Sequence, residues 1–304
     1  FVGQGRDMDA MLNGTITANS SAFSTNWQQL YEGVKRANDA IYNIPLKSPS
    51  SDAKKSRYIA ETKFLRAYFY FRLNQLYKGV PLYLEPVGAN DASRPRETEA
   101  KIWEVVLQDL TDAINEPNLP NKYAAGDGLY GHITKGAAYA LRGKTYMYLK
   151  QWQNAINDFQ KVKDAGYKLF TGSYKDVFTL ANEKSDEMIF SIQHINQDGY
   201  GSTTQFYCGT RSSFGSCWNT YLISPNLVDL YENADGSPFN WDDVIPGYSA
   251  MPAAKREVFF FRDNLTTAEI TAATNRGLDM SLYLPTGNEA RIKAAYANRD
   301  PRLN

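Results

Sequence analysis

The sequence has no excess of charge of either sign, and this limits the partners that it can bind by electrostatics. Its 304 residues carry 33 basic and 33 acidic side chains, and no long run of like charge occurs. Nucleic-acid binding needs a basic excess on some face of the protein, because the phosphates must be neutralised. The charge balance therefore argues against nucleic acid as the main partner.

Long apolar runs are also absent. No stretch approaches about 18 consecutive apolar residues, the length from which a membrane-spanning helix is predicted. A signal peptide is not evident either, yet the chain begins at Phe1 rather than at a methionine. We therefore expect a processed or trimmed piece whose original targeting segment is missing.

Cysteine and histidine are scarce, and this limits metal and disulfide chemistry. The two cysteines, Cys208 and Cys217, lie in "CGTRSSFGSC". They either close a small disulfide loop, as in an oxidising compartment, or stay as two unpaired thiols. A zinc site needs about four ligands, whereas the only histidines, His132 and His194, are remote in sequence. We expect no metal site and no cofactor.

Helical periodicity with many aromatic side chains is what the sequence does have. In "ETKFLRAYFYFRLNQLYKGVPLYLEP", residues 61–86, apolar side chains recur every three or four positions and form two stripes. Gly79 and Pro81 are suited to end this helix at about Lys78. A helix that is apolar on two sides needs neighbours on both sides, so we predict that it lies between other helices.

A second helical hairpin is predicted over residues 133–170. Its large, small and aromatic positions match the tetratricopeptide pattern in register. These positions are Tyr139, Gly143, Tyr146, Ala155, Phe159 and Val162. Residues 60–114 resemble a degenerate copy with a long insertion. The sequence therefore predicts a mainly α fold built on a tetratricopeptide-like scaffold of stacked hairpins.

The character of the chain changes at about residue 171. "EMIFSIQH" predicts a short extended run, and the sequence after it is rich in glycine, serine, threonine, asparagine and aromatics, with little helical period. We predict one domain over residues 1–304. Within it, residues 26–170 form the helical scaffold and residues 171–304 form a loop-rich binding region.

The segment "DGYGSTTQFYCGTRSSFGSCWNTY", residues 198–221, places large aromatic side chains among small polar residues. Such a loop suits a sugar, whose ring faces are apolar and whose rim carries hydroxyl groups. The predicted contact residues are the aromatics Tyr200, Phe206, Tyr207, Phe214 and Trp218 and the polar residues Asp198, Arg211 and Asn219. The alternative is that the rings only pin the loop to the scaffold, which we expect for at least two of the five. Trp27, at the start of an early helix, is interpreted as structural.

Strings that resemble catalytic or metal motifs have simpler explanations. "GDGLYG", residues 126–131, fits G-x-G-x-x-G, but no strand leads into it, so we interpret it as a loop that feeds a helix. "NADGSPFNWDD", residues 233–243, lacks the ligand pattern of a calcium hand and is interpreted as a turn. The sequence contains neither a G-x-S-x-G elbow nor an H-E-x-x-H pair. We predict a protein that is not an enzyme, although a pair of hydrolytic carboxylates has no sequence spacing of its own.

The chain resembles the SusD/RagB family of outer-membrane nutrient-binding lipoproteins. The resemblance is carried by "NWQQLYEGVKRANDAIYNI", "AETKFLRAYFYFRLNQLYKGVPLYLEP", "GHITKGAAYALRGKTYMYLKQWQNAINDFQKV", "EMIFSIQ" and "RDPRL". These blocks cover most of the chain in the family's order. The resemblance implies a SusD-like fold, and a chain that is incomplete at both ends, without the lipidated cysteine and without the part that follows "RDPRL".

The resemblance also implies a function. Members bind oligosaccharide or polysaccharide at the cell surface without catalysis and pass it to a SusC-like TonB-dependent transporter, held to the outer membrane by a lipid anchor that is missing from this chain. One alternative stays open, a tetratricopeptide-type adaptor that would bind protein or peptide on a concave helical face. A glycoside hydrolase is disfavoured by the helical scaffold.

Overall fold

The computed structural model describes residues 10–11, 13–88, 91, 93–195, 197, 199–202, 204–210, 212, 217–219, 221 and 223–303. The described chain divides into two compact units, one that ends at Trp218 and one that begins at Asn219. We call them the scaffold unit and the C-terminal unit. No helix in these ranges is both long and apolar enough to cross a membrane.

Five long helices lie in the described part of the scaffold unit and confirm the predicted mainly α fold. They are α1 (Ser21–Lys47), α2 (Asp52–Tyr77), α3 (Glu99–Asn115), α4 (Lys135–Tyr148) and α5 (Trp152–Asp164). Each helix packs against the next one along the chain. The result is the stacked array of helical hairpins that the tetratricopeptide-like pattern predicts.

Helix α2 is buried on both flanks, as its two apolar stripes predict. Tyr70 and Leu73 have no exposed surface, and the Phe71 ring lies 5.5 Å from the Trp103 ring of α3. The helix ends at Tyr77, and Gly79 follows with a φ of 79°. A Cβ atom on Gly79 would lie 2.5 Å from a backbone oxygen of the next segment, so both its φ and the close approach require glycine.

The hairpin of α4 and α5 shows why its small residues are needed. A Cβ atom on Gly143 would lie 2.8 Å from the Phe159 ring, and Ala155 is buried. Arg142 donates two hydrogen bonds of 2.8 Å to the two carboxylate oxygens of Asp158. The aromatic ring and this ion pair hold the two helices together at close range.

Beyond α5 the scaffold unit becomes irregular. Residues 174–178 and 180–182 form short 3₁₀ helices, and Thr204–Cys208 forms the short helix α6. The predicted extended run at residues 187–194 is not a β-strand, because no described segment pairs with it. Instead, its Phe190 ring lies 5.6 Å from the Phe64 ring of α2. The segment is therefore attached to the helices by side-chain packing.

The C-terminal unit has its own small core of Ile245, Tyr248 and Phe259. Its helices are short, and they are α7 (Pro225–Asp229), α8 (Trp241–Val244), α9 (Ala253–Arg256), α10 (Thr267–Asn275) and α11 (Asn288–Tyr296). Arg299 of "RDPRL" is 3% exposed. It donates to the backbone oxygens of Val228 and Ala295 at 3.0 and 3.1 Å. This arginine therefore links segments of the unit that are far apart in sequence.

Candidate functional site

The predicted aromatic loop brings three rings together. The short helix α6 (Thr204–Cys208) carries Phe206 and Tyr207, and Trp218 lies against both. The Trp218 ring is 5.0 Å from the Phe206 ring and 6.2 Å from the Tyr207 ring. We call Phe206, Tyr207 and Trp218 the aromatic cluster.

A backbone hydrogen bond fixes the position of Trp218. Its amide N–H donates to the carbonyl oxygen of Phe206 at 2.8 Å. Phe206 and Tyr207 are half-buried, whereas the Trp218 side chain is among the large hydrophobics that stay exposed, at 40%. The cluster therefore presents one indole ring to solvent and supports it with two less exposed rings.

Of the other five predicted contact residues, the structure describes Tyr200 and Asn219. Tyr200 is 63% exposed, and no ring contact joins it to the aromatic cluster within the described residues. Asn219 is exposed and adopts a left-handed backbone with a φ of 49°, a conformation that asparagine tolerates. Asp198, Arg211 and Phe214 lie outside the described residues. The contact of these eight residues with a ligand stays a prediction.

The two cysteines of this loop are described as free thiols, Cys208 exposed and Cys217 buried. They lie between the members of the aromatic cluster in sequence, since Cys208 follows Tyr207 and Cys217 precedes Trp218. The structure thus corresponds to the alternative in which the two cysteines are unpaired. That the thiols are free in the purified protein is a testable prediction.

A pocket of about 440 Å³ in the scaffold unit was not predicted from the sequence. It is lined by residues from the segment before α4, within the range 122–134, by residues within the range 184–193, and by Tyr167. We call it the His132 pocket. Its loop includes "GDGLYG", which forms turns and leads to α4, as interpreted. The loop has two tyrosines, one histidine and one lysine, a composition that suits a binding site, but the segment that forms the opposite wall is about sixty residues away in the sequence.

Hydrogen bonds and an ion pair hold the side chains in the walls of the His132 pocket in place. His132 Nδ1 lies 2.9 Å from Glu61 Oε2, and Thr134 Oγ1 lies 3.0 Å from Tyr167 Oη. Lys122 forms an ion pair with Asp186. Burial raises the pKa of Tyr130 and of Tyr167, so both phenols stay neutral at physiological pH.

A second cavity of about 380 Å³ lies between α1 and the segment after α2, with Trp27, Tyr31 and Tyr83 in its wall. The Trp27 ring lies 4.9 Å from the Tyr31 ring and 5.0 Å from the Tyr77 ring, and it packs on the main core. These contacts support the structural interpretation of Trp27. Tyr31 Oη donates to the Pro81 oxygen at 2.7 Å, so this hydroxyl is already satisfied within the protein.

The first part of the acidic segment at residues 233–243 is a turn, as interpreted, and its last three residues begin α8. The Ser237 amide and hydroxyl donate to Asp235 Oδ1 at 2.9 and 2.6 Å, and Gly236 has a φ of 84°. In the part of the chain that the structure describes, no three His, Cys, Asp or Glu side chains are grouped closely enough to hold a metal ion.

Comparison with known proteins identifies the kind of protein that this fold represents. Residues 5–147 match a SusD-like family model described as "Starch-binding associating with outer membrane". The chain is 27% identical over 225 residues to SusD-like protein P25 of Formosa agariphila, which corresponds to 72% of this chain and 42% of that protein. The stacked hairpins are thus those of a SusD-like scaffold.

Solved structures agree with this result. A SusD-like protein of Bacteroides fragilis superposes with a TM-score of 0.70 and 26% identity, over 95% of this chain and 50% of that one. A protein named as a laminarin-binding SusD-like protein gives a TM-score of 0.53 and 32% identity, over 57% of this chain and 38% of that one. The chain is similar to SusD-like proteins over most of its length. It spans 42% and 51% of the length of the two curated Formosa agariphila relatives.

Proposed function

We propose that this protein captures an oligosaccharide or polysaccharide and does not alter it chemically. The observation that carries the proposal is the exposed Trp218 ring, which packs against Phe206 and Tyr207. An aromatic face binds the apolar face of a sugar ring, and neighbouring polar groups bind its hydroxyls. A partly exposed indole that is held by a backbone hydrogen bond offers such a face with little loss of side-chain freedom on binding.

The comparisons support the ligand class. The description of the matching family names starch, and one similar solved structure is named for laminarin. Both are polymers of glucose units, so a sugar ring is the feature that the two ligands share. For the present chain we propose only this class of ligand, a glycan.

We further propose that the glycan passes to a SusC-like TonB-dependent transporter, and that the full-length protein is an outer-membrane lipoprotein that faces outward. The family resemblance supports this. Trp152 and Ile156 of α5 also lie one helical turn apart and are 57% and 60% exposed, an apolar face that suits a protein partner. A single acyl chain binds membranes only marginally, so stable anchoring requires more than one.

The glycan proposal is tested by titrating the purified protein with starch, laminarin and a panel of plant, fungal and host glycans. We expect saturable binding of at least one glycan and no release of sugars during prolonged incubation. Binding of peptides without binding of any glycan would favour the adaptor alternative. Released sugars would favour a hydrolase.

The location is tested separately, in cells that express the full-length protein. An impermeant labelling reagent should modify the protein on intact cells. Recovery of the protein only from the cytosol, without label, would contradict an outward-facing lipoprotein while leaving the glycan proposal intact.

A further inference from the structure

The His132 pocket is a second site with the features of a ligand pocket, and no residue of the aromatic cluster lines it. Its volume of about 440 Å³ falls in the range in which proteins hold small molecules. Phe190, in one wall, packs on Phe64 of α2. Residues 184–193 are therefore anchored to the helical scaffold opposite the loop before α4.

The pocket wall contains hydroxyl groups that have no hydrogen-bond partner among the described residues. The oxygens of Tyr123 and Ser185 are buried and accept or donate no hydrogen bond within this part of the chain, and Tyr123 is only 9% exposed. Buried hydroxyls without partners are costly, and in native proteins they are usually satisfied by water or by a ligand. A serine hydroxyl reaches three staggered positions by rotation about χ1. Both residues line the cavity, so a polyhydroxylated molecule bound there is a candidate partner for these hydroxyls.

Aromatic faces and charge narrow the class of ligand further. Lys184 Nζ lies 5.5 Å from the centre of the Tyr130 ring, and both residues line the pocket. Lys122 is neutralised by Asp186, whereas Lys184 forms no ion pair with any residue that the structure describes. The pocket thus combines an aromatic face, unsatisfied hydroxyls and one ammonium group that is available to an anion.

We propose that the His132 pocket binds one acidic sugar unit, a uronic acid, independently of the aromatic cluster. The Tyr130 ring contacts the sugar face, Lys184 pairs with the carboxylate, and Tyr123 and Ser185 bind hydroxyls. An ammonium group that lies over an aromatic ring matches a uronic acid better than a neutral hexose, because only the acid offers both a carboxylate for the cation and an apolar ring face for the aromatic side chain.

The test compares sugars that differ only in the carboxylate. The protein is titrated calorimetrically with D-galacturonate and D-galactose, and with D-glucuronate and D-glucose. We expect saturable binding of at least one uronate, about tenfold tighter than that of the matched hexose, since a hydrogen bond to a charged group is worth about one decade of affinity. Lys184→Met should remove the difference. Lys175→Met, a change of another exposed lysine outside the pocket, should preserve it.

Two further outcomes decide the proposal. Trp218→Ala should leave uronate binding unchanged, since Trp218 does not line the pocket. Loss of uronate binding in Trp218→Ala would place the sugar at the aromatic cluster and overturn the proposal. Absence of saturable binding of either uronate, or a Lys184→Met variant that still binds the acid more tightly than the matched hexose, would also overturn it.

Discussion

Arg66 of α2 and Asp109 of α3 form a buried ion pair with two parallel hydrogen bonds of 2.8 Å. Their side chains are only 7% and 5% exposed. Arg66 also donates to Asn38 Oδ1 of α1 at 2.9 Å and to the Leu84 oxygen at 2.8 Å. Burial raises the pKa of the Asp109 carboxyl, while the hydrogen bonds from Arg66 act to lower it. One guanidinium thus joins three helices and the loop after α2.

Removal of one member of this pair should be strongly destabilising. Asp109→Asn leaves Arg66 buried without its counter-charge, and we expect a loss of about 3 to 5 kcal/mol in the free energy of unfolding. The double variant Arg66→Met/Asp109→Leu should lose less, because no charge is left buried. Urea unfolding measures both changes.

The matched control for this prediction is the exposed pair of Lys35 and Asp39 on α1, with an N–O distance of 2.7 Å. Asp39→Asn should change the free energy of unfolding by less than about 1 kcal/mol. Equal losses for Asp39→Asn and Asp109→Asn would show that burial of the Arg66 pair has no energetic consequence.

The contact between Gly143 and Phe159 yields a second prediction. Gly143→Ala gains about 1 kcal/mol of helix propensity, but its new Cβ would meet the Phe159 ring at 2.8 Å. Overpacking costs about 1 to 3 kcal/mol, so we expect net destabilisation. Phe159→Leu should be tolerated better in the Gly143→Ala background than in the unaltered protein. Gly126→Ala is the control, because open space surrounds Gly126; a loss there equal to that of Gly143→Ala would contradict the steric explanation.

The helices could be predicted from the sequence because their signals are local. Gly79 and Pro81 mark the end of α2 within one residue, and the spacing of Gly143 and Phe159 gives the packing of a hairpin. The predicted scaffold starts at residue 26, whereas α1 begins at Ser21. Helix propensity alone does not show that Ser20, whose Oγ accepts the Ala22 amide hydrogen bond, caps this helix.

The aromatic cluster and the His132 pocket could be predicted less well from the sequence. Phe206, Tyr207 and Trp218 lie close in sequence, so an aromatic loop was visible, although the contact of Trp218 with α6 was not. The His132 pocket depends on the packing of Phe190 against Phe64, which are 126 positions apart in the numbering. Periodicity carries no information about such long-range contacts, and the same is true of the pairing of Arg66 with Asp109.

Acid should destabilise the C-terminal unit. Hydrogen bonds from the backbone of Glu289 and Gly287 lower the pKa of Asp263. Hydrogen bonds from Ser281 likewise lower the pKa of Asp279, to about 2. A carboxylate with a lowered folded-state pKa adds stability above its unfolded-state pKa, and this contribution is lost as the pH falls through the folded-state pKa. The loss should therefore occur between about pH 4 and pH 2.

Calorimetric melting at pH 5, 4 and 3 measures this dependence. Asp263→Asn, which cannot ionise, should melt lower at pH 5 and show a weaker decrease towards pH 3. A melting temperature that stays constant from pH 5 to pH 3 in the unaltered protein would contradict the prediction.

The thiols of Cys208 and Cys217 should differ in reactivity. Cys208 is exposed and Cys217 is 7% exposed, and thiol modification requires access. In freshly purified, unreduced protein we expect rapid alkylation of Cys208, and alkylation of Cys217 only after denaturation. Mass spectrometry of the peptides measures both. A peptide pair linked by a disulfide would instead establish the paired alternative, worth roughly 2 to 3 kcal/mol in the chain-entropy model.

Trp218→Ala should weaken glycan binding far more than it weakens the fold. Truncation of a buried tryptophan to alanine costs about 3 to 5 kcal/mol of stability. Because Trp218 is 40% exposed, its truncation should cost less stability than this. Truncation of an aromatic hot spot costs about 2 kcal/mol of binding, or on the order of a thirtyfold loss of affinity at 1.4 kcal/mol per decade. The measurements are the melting temperature and a titration with the glycan that the unaltered protein binds.

Trp152→Ala is the matched control, because Trp152 is also an exposed tryptophan of the scaffold unit, at 57%, and lies on α5 outside the aromatic cluster. It should bind the glycan with unaltered affinity, since the cluster keeps all three rings. Phe206→Ala should reduce both affinity and melting temperature, because the half-buried Phe206 supports Trp218 and also packs within the unit. If Trp218→Ala instead lowers the melting temperature strongly, or leaves the affinity unchanged, then Trp218 belongs to the scaffold and the glycan contacts must lie elsewhere.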